Sequence, residues 1–262
     1  MKKYILIFIV IILPLTCLAG SIEDMRRAVI MRKNAAAGGE YDYCTPLVGT
    51  FYWDGDHPSG TDYGCVSGTT LQAAETDGTN TVNSDYNHTT GDGSYANSVD
   101  VDEADASLKF ATSGIFDIEE GSLSFWMYPE ASTGDTHIFS SGNETYAFNN
   151  RLHIYYDQFS NLKVYWESGD GGRTDLTCGI DPVDGQWNHI KLQWSHAATT
   201  LRVSSDGGNN WTTNSSATTA AGTTNTYFWI GNEASHGTDY NEFSDTFHID
   251  DVQIWTSYNE GG

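Results

Sequence analysis

The chain has 262 residues and a mass of 28.8 kDa, which suits one large all-β domain or two smaller domains. It carries 35 Asp and Glu residues against 12 Lys and Arg residues, and the resulting net charge of −23 all but excludes nucleic acid as a partner and argues against anionic membrane surfaces. Aromatic residues make up 13% of the chain and Gly is frequent with 27 residues, a composition typical of short strands joined by tight turns.

The N-terminal segment predicts export. Lys2 and Lys3 precede an apolar run over residues 4–13, and Ala19 lies at a small-residue cleavage position, as in a secretory signal peptide. An uncleaved membrane anchor is the alternative, but the run is shorter than the ~20 residues that a membrane span requires. We therefore expect residues 1–19 to be removed and the protein to be secreted, extracellular or on the cell surface.

Residues 20–40 predict a short helix or linker that carries four basic side chains, Arg26, Arg27, Arg32 and Lys33. Cleavage of the signal leaves three cysteines, Cys44, Cys65 and Cys178. An oxidising compartment then allows one disulfide with one remaining thiol, and three pairings are possible. Cys44 and Cys65 are closest in sequence, so this pair is the prediction.

Short stretches of alternating apolar and polar residues follow from residue 41 to residue 258. This period-two pattern, broken by polar turn residues, predicts a single all-β antiparallel sandwich, with residues 259–262 as a tail. The predicted strands include residues 122–128, 151–157, 162–167, 186–195, 201–204, 211–213, 227–231 and 248–255. Residues 158–161 and 206–208 predict hairpin turns.

The last predicted strand contains an irregularity. Ile249, Val252 and Ile254 stand three and then two residues apart, so a regular strand cannot place all three on one face. The pattern predicts a β-bulge at Asp250 and Asp251, which would redirect one carboxylate.

Four segments together carry a family resemblance. GSLSFWMYPEAS (121–132), DGQWNHIKLQW (184–194), FWIGN (228–232) and FHIDDVQIW (247–255) resemble, in order, the strands of concanavalin A-like lectin/glucanase and laminin-G-like domains. The resemblance covers roughly residues 106–258, and residues 48–54 are similar to the family's first strand. It implies a jelly roll of two curved antiparallel sheets. Fold alone does not settle function, because members bind glycans, hold proteins together or act as enzymes.

The resemblance also implies a possible structural Ca²⁺ ion. The usual side-chain ligand in the closing strand corresponds to Asp250, with Asp251 as the alternative and Asp54 as a partner from the first strand. Clustered carboxylates are the ligands that Ca²⁺ prefers. The alternative interpretation is an Asp pair that ends a strand and caps a turn.

No catalytic residues are predicted. Related glucanases need three alternating carboxylates on one strand, where an acid and a nucleophile lie about 5–5.5 Å apart. Asp117 and Glu119 provide two members, but Ile115 stands at the third position. Asp100 and Asp102 lie in an acidic stretch without an apolar partner face, and no motif of sugar lyases or serine hydrolases is present.

The candidate ligand site lies on two strands predicted to pair through residues 158–161. Alternation directs Leu152, Ile154, Tyr156, Leu162, Val164 and Trp166 inward. It directs a second set outward, as a polar and aromatic surface suited to a hydroxylated ligand: Arg151, His153, Tyr155, Lys163, Tyr165 and Glu167. An ordinary solvated sheet face is the alternative.

Two further groups of residues have structural interpretations. Trp126, Trp187, Trp194 and Trp255 are expected in the core. The motif from Ser204 to Trp211 resembles one copy of the Asp-box, in which Asp206 pins a turn. The sequence thus favours a secreted, non-catalytic glycan-binding module. The alternatives are a structural or adhesive module of a cell surface or virion that contacts a surface protein and, less favoured, a glycoside hydrolase or polysaccharide lyase.

Overall fold

A computed structural model describes twelve stretches of the chain, all within one compact unit, Tyr43–Gly262. They are residues 50–53, 63–66, 69–73, 75–77, 80–83, 98–101, 107–129, 136–142, 151–167, 172–217, 225–231 and 247–258. The predicted signal peptide, the basic segment 20–40 and the tail 259–262 lie outside these stretches. Within them, no helix is both long and apolar enough to cross a membrane.

The described residues form 17 strands and contain no helix. The strands are β1 (Phe51–Trp53), β2 (Tyr63–Val66), β3 (Thr69–Gln72), β4 (Glu75–Asp77), β5 (Asn80–Asn83), β6 (Ser98–Val101), β7 (Ser107–Ala111), β8 (Glu120–Pro129), β9 (Thr136–Gly142), β10 (Arg151–Tyr156), β11 (Leu162–Glu167), β12 (Arg173–Thr177), β13 (Asn188–Ser195), β14 (Thr200–Ser204), β15 (Thr212–Asn214), β16 (Tyr227–Gly231) and β17 (Phe247–Trp255).

The strands form two sheets. The large sheet has ten strands, with the order β15-β14-β13-β8-β17-β1-β2-β3 and with β6 and β5 paired onto β17. The small sheet has seven strands in the order β12-β11-β10-β9-β16-β7-β4. Neighbouring strands pair antiparallel throughout both sheets, which confirms the predicted antiparallel sandwich.

The core lies between the two sheets. Phe125 and Ile190 of the large sheet belong to the same buried cluster as Ile154 and Phe228 of the small sheet. Each of these four side chains is at most 1% exposed. Burial of so much aliphatic and aromatic surface is the main force that holds the sheets together, since transfer of apolar area from water stabilises by about 25 cal/mol per Å².

The predicted hairpin of β10 and β11 is confirmed. Its register places Arg151 opposite Glu167, His153 opposite Tyr165 and Tyr155 opposite Lys163. The side chains predicted to point inward all belong to the core cluster: Leu152, Ile154, Tyr156, Leu162, Val164 and Trp166. The predicted turn at residues 206–208 is confirmed as well, because β14 and β15 pair across it.

The bulge in β17 is also confirmed. Asp250 pairs with Trp126 and Gln253 with Ser124, so β17 uses one residue more than β8 over this step. Asp251 has a φ of 54°, in the left-handed region that L-residues other than Asn and Asp seldom adopt. The extra residue keeps Ile249 and Val252 both in the core.

Of the four tryptophans predicted to lie in the core, two are buried and two are not. Trp194 and Trp255 are buried as predicted, at 0% and 5% exposure. Trp126 and Trp187 are only half-buried and lie outside the core cluster, so their prediction as core residues is wrong. Trp126 occupies an outward position of β8 between the core residues Phe125 and Met127, and the alternation of the strand outweighs the hydrophobicity of its ring.

Among the cysteines, Cys65 is disulfide-bonded and Cys178 is a free, buried thiol. Burial raises the pKa of the Cys178 thiol, which makes it a poor nucleophile. Cys44 lies outside the described residues, so its pairing with Cys65 stays a prediction.

Candidate functional site

The six predicted ligand-binding residues share the face of the small sheet that points away from the core. We call this surface the polar face and define it by Arg151, His153 and Tyr155 of β10 and Lys163, Tyr165 and Glu167 of β11, together with His137 of β9 and Arg173 of β12. The antiparallel register brings these side chains together, because cross-strand neighbours on one face lie about 4.5–5.5 Å apart.

The polar face is less accessible than the sequence suggests. Arg151, His153, Tyr155 and Glu167 are only 4–7% exposed, whereas Lys163 and Tyr165 are half-buried. The alternative of an ordinary solvated sheet face is therefore wrong for β10. These side chains are hydrogen-bonded to neighbours on the same face: Arg151 to Glu167, His153 to His137 and Tyr155 to Tyr165.

Ion pairs neutralise the charges of the polar face. Arg151 Nε donates to Glu167 Oε2 at 2.6 Å, and Arg173 Nη1 lies 3.6 Å from Glu167 Oε1. Lys163 Nζ lies 2.5 Å from Asp157 Oδ2. Arg173 also pairs with Asp175. Each of these cations thus faces a carboxylate, and the face carries little net charge in spite of its many ionisable groups.

Aromatic rings fill the space between the ion pairs. The rings of Tyr155 and Tyr165 lie 4.8 Å apart with their hydroxyls hydrogen-bonded to each other. The Arg173 guanidinium lies 3.4 Å from the centre of the Tyr165 ring, a cation–π contact. His137 and His153 form a hydrogen-bonded pair of imidazoles with ring centres 4.2 Å apart. The rings are held in fixed positions by these contacts.

One hydroxyl on this face is buried without a hydrogen bond. Ser140 of β9 is cross-strand neighbour to His153 on one side and to Trp229 on the other. Its side chain is 0% exposed, and its Oγ has no hydrogen-bond partner. A buried polar group without a partner is uncommon, and a hydrogen bond to a bound water molecule or ligand would explain it.

Sequence reasoning missed His137, Ser140 and Arg173. His137 and Ser140 lie in β9, a fully buried strand that shows no alternation of apolar and polar residues to reveal its faces. Arg173 was detectable in principle, since β12 pairs with β11 and Arg173 is directly opposite Glu167.

The turn of the β10–β11 hairpin is fixed by one carboxylate. Asp157 Oδ1 accepts the backbone N–H groups of Phe159 and Asn161, each at 2.9 Å. Burial by itself raises the pKa of Asp157, but the hydrogen bonds from Lys163, Asn161 and Phe159 outweigh it and hold the pKa below its usual range. The adjacent Tyr156 donates to Asp184 at 2.7 Å, and burial raises the pKa of this phenol well above its usual range.

A second group of rings lies on the opposite side of the molecule. We call it the ring patch and define it by four residues on the outward face of the large sheet, Trp126, Tyr128, His189 and His248, together with Trp187, which directly precedes β13. Trp126 stacks on His189 at 4.5 Å with an interplanar angle of 9°. Tyr128 meets Trp187 edge-on at 5.7 Å and His248 at 5.6 Å. The patch lies beside the bulge of β17.

The two carboxylates of the bulge have identified hydrogen bonds. Asp250 is 3% exposed, and its Oδ1 accepts the backbone N–H of Asp251 at 2.8 Å. Tyr52 donates its hydroxyl to Asp251 Oδ1 at 2.5 Å. Asp54, the third predicted ligand, lies outside the described residues. In the described part of the chain, His, Cys, Asp and Glu side chains form no group of three or more that could hold a metal ion.

The Asp-box motif has the structural role that the sequence suggests. Asp206 Oδ1 accepts the Ser204 hydroxyl at 2.7 Å and the backbone N–H of Asn210 at 2.9 Å. These bonds close the β14–β15 turn. The carboxylates considered for catalysis lie elsewhere: Asp117 Oδ1 accepts the Glu119 N–H at 2.9 Å in the turn before β8, so the two do not alternate along a strand.

Comparison with known proteins agrees with this architecture. A laminin-G-type family model of the concanavalin A-like lectin/glucanases superfamily matches residues 102–258. No curated protein matches the sequence.

Two solved structures share the fold at low identity. The binding domain of botulinum neurotoxin serotype D is 10% identical with a TM-score of 0.58, over 81% of this chain and 48% of that one. The receptor binding domain of botulinum neurotoxin mosaic serotype C/D is 12% identical with a TM-score of 0.56, again over 81% and 48%. This chain thus spans about half the length of each.

Proposed function

The chain belongs to the concanavalin A-like lectin/glucanases superfamily, and on that premise we propose that it is a non-catalytic carbohydrate-binding module. The ligand is a glycan or polysaccharide. It binds at the accessible part of the polar face, which consists of Tyr165, Lys163 and Arg173.

The observation that carries this proposal is the fixed position of Tyr165. The centre of the Tyr155 ring lies 4.8 Å from the centre of the Tyr165 ring, and the Arg173 guanidinium lies 3.4 Å from the centre of the Tyr165 ring. These two contacts hold the ring in place, and the Tyr165 side chain remains half-buried. Lectin-type recognition requires rings and polar groups that are positioned before the ligand arrives, because ordering side chains on binding costs affinity. The Tyr165 hydroxyl and the donors of Lys163 and Arg173 suit sugar hydroxyls.

Charge compensation points to the kind of glycan. Lys163 pairs with Asp157, and Arg173 pairs with Glu167 and Asp175. An acidic glycan would have to compete with these carboxylates for the same cations. A neutral saccharide meets no such competition, so we expect neutral glycans to bind better than acidic ones.

Binding without cleavage is the other half of the proposal. Asp117 and Glu119 share a turn in which the Glu119 backbone N–H donates to Asp117 Oδ1, so they do not flank a common space as two catalytic carboxyl groups must. We expect the chain to leave bound oligosaccharides intact.

A glycan array probed with three variants tests the site. Tyr165→Ala should reduce binding by about tenfold, since an aromatic contact is worth roughly 0.5–1.5 kcal/mol beyond its buried area. Phe159→Ala is the matched control, because Phe159 is an aromatic side chain with 75% exposure at the hairpin turn. Tyr165→Phe separates the ring from the hydroxyl. Unchanged binding by Tyr165→Ala would move the site away from the polar face.

A structural or adhesive module that contacts a surface protein is the second candidate. It is favoured by three exposed apolar side chains, Phe159, Ile180 and Val183, with exposures of 75%, 46% and 51%. Their two loops are connected because Ser160 and Tyr156 both bond Asp184. A folded protein that ignores every glycan but loses attachment to a cell surface with Phe159→Ala would favour this second function.

Secretion and calcium are further parts of the proposal. N-terminal sequencing of the exported protein should find residue 20 at the start.

A calcium ion held by Asp54, Asp250 and Asp251 should raise the melting temperature in CaCl₂ relative to EDTA, and Asp54→Asn should abolish the difference. Equal melting temperatures in CaCl₂ and EDTA would remove calcium from the proposal.

A further inference from the structure

We propose that the ring patch of the large sheet is a second saccharide-binding surface, so that one chain binds carbohydrate on two opposite sides. This inference rests on the proposed carbohydrate-binding function and extends it from one site to two. The patch lies outside the residues from which the first site was derived, and nothing in the polar face requires it.

The register of three strands creates the patch. His189 of β13 is directly opposite Trp126 of β8, which is in turn opposite Asp250 of β17. Two residues further along β8, Tyr128 is opposite His248 of β17. Successive outward positions on a strand lie about 6.5–7 Å apart. The rings therefore form a compact block on one surface rather than a scattered set.

The rings of the patch are held in place by contacts that are independent of a ligand. His189 Nε2 is hydrogen-bonded to Ser124 Oγ at 2.7 Å while its ring stacks on Trp126. The segment before β13 is tied down by Asn188, whose amide bonds the backbone of Val183 at 2.9 Å and of Gln186 at 2.8 Å. Trp187 is thereby fixed next to Tyr128. Rings fixed in advance bind with a smaller loss of conformational freedom.

The accessible part of the patch is mainly aromatic. Trp126, Tyr128 and Trp187 are half-buried. The charged neighbours are Asp250 at 3% exposure, Lys191 at 9% exposure and two further acidic residues. Asp206 pairs with His189, is half-buried and accepts hydrogen bonds from Ser204 and Asn210. Asp100 is directly opposite His248. A ligand at the surface therefore meets mainly aromatic rings. This chemistry fits the CH-rich face of a neutral sugar and its hydroxyls.

The opposite placement of the two surfaces has a functional consequence. Trp126 points away from the core on the large sheet, and Tyr165 points away from the core on the small sheet, with the buried cluster between them. One short oligosaccharide cannot reach both surfaces. A chain with two such sites binds two ligand molecules and cross-links polysaccharide strands.

Isothermal titration with neutral hexasaccharides tests this inference. The probes are laminarihexaose, mannohexaose, xylohexaose and N-acetylchitohexaose, each titrated into the full chain. We expect two ligands per chain for the hexasaccharide that binds. Trp187→Ala and Tyr165→Ala should each weaken one of the two sites by about tenfold, so that titration resolves one strongly bound ligand per chain, and the double variant should leave no strong site. Trp187 lies outside the strands, so Trp187→Ala should fold. Phe159→Ala is the control.

The outcomes separate the inference from the function on which it rests. One ligand per chain, lost in Tyr165→Ala and unaffected by Trp187→Ala, overturns the second site and leaves the proposed function intact. One ligand lost only in Trp187→Ala supports the patch and overturns the polar face as the site. No binding of any hexasaccharide by the folded chain overturns both. Sedimentation of the same variants tests whether the patch instead binds a second copy of the chain. If the chain is a dimer and Trp187→Ala dissociates it, the patch is a dimer interface and the inference is overturned.

Discussion

Arg151 and Glu167 form an ion pair between directly opposite positions of β10 and β11, with Nε and Oε2 separated by 2.6 Å and both side chains at most 8% exposed. Taking two charges out of water costs free energy, which their attraction offsets only while both are present. The pair thus stabilises the polar face only while both charges are present, and removal of one charge should destabilise the fold.

We predict that Arg151→Met lowers the free energy of unfolding by about 3 kcal/mol, because it leaves the Glu167 carboxylate buried without its main partner. This figure is at the lower end for such pairs, since Arg173 lies 3.6 Å from Glu167 and compensates in part. Urea denaturation measures the loss. The double variant Arg151→Met, Glu167→Leu should recover most of it, and a double variant no more stable than the single one would contradict the explanation.

A close approach of backbone to ring predicts the effect of a small substitution. A Cβ atom at Gly121 of β8 would lie 2.3 Å from the Trp194 ring, which is fully buried. We therefore expect Gly121→Ala to destabilise by about 1–3 kcal/mol, as overpacking of a core does. Gly142→Ala is the matched control in a strand, because its Cβ would have only an ordinary contact at 3.8 Å. Thermal unfolding of both variants compares them, and equal melting temperatures would count against this packing.

The hairpin carboxylate predicts a specific pH dependence. The pKa of Asp157 is lower in the folded protein than the ordinary value near 3.9, so its contribution to stability is present above that pH and is lost as the pH falls. We expect Asp157→Asn to be less stable at pH 7 and to lose less stability than the unmodified chain between about pH 5 and pH 2. Denaturation across that range measures the slope. A slope for Asp157→Asn equal to that of the unmodified chain would refute the assignment.

The bulge residue predicts an order among substitutions. Asp251 combines a φ of 54° with a hydrogen bond from Tyr52. Ala at this position loses the hydrogen bond and keeps the strained backbone, whereas Gly loses only the hydrogen bond. Asp251→Ala should therefore be less stable than Asp251→Gly by about 1 kcal/mol. Tyr52→Phe isolates the hydrogen bond. If the Ala variant is at least as stable as the Gly variant, the backbone conformation does not carry the cost.

Local patterns in the sequence predict the strands and their inward faces. Leu152, Ile154 and Tyr156 alternate cleanly, and all three lie in the core. The spacing of Ile249 and Val252 is sufficient to predict the bulge, because the two-residue period of a strand permits no other way to bury both. Hydrophobicity alone does not predict the burial of Trp126: its position in β8 directs the side chain outward, although its ring is apolar.

The burial of the polar face could not be predicted in the same way. Alternation places Arg151 and His153 outward, but whether an outward face meets solvent depends on long-range packing that no local pattern encodes. The Arg151–Glu167 pair could be predicted, since the register that follows from the hairpin turn places these two residues opposite each other. His137 of β9 was not, because every residue of that strand is buried and its sequence shows no alternation.

The central claim is that this chain binds carbohydrate without cleaving it, and a glycan array is the most direct measurement. The array should present neutral and acidic oligosaccharides to the unmodified chain, Tyr165→Ala and Phe159→Ala, with chromatography of the same sugars after incubation. We predict binding to neutral glycans that Phe159→Ala keeps and Tyr165→Ala weakens, with every sugar recovered intact. A chain that unfolds cooperatively yet binds no glycan, or one that shortens the sugars, would contradict the claim.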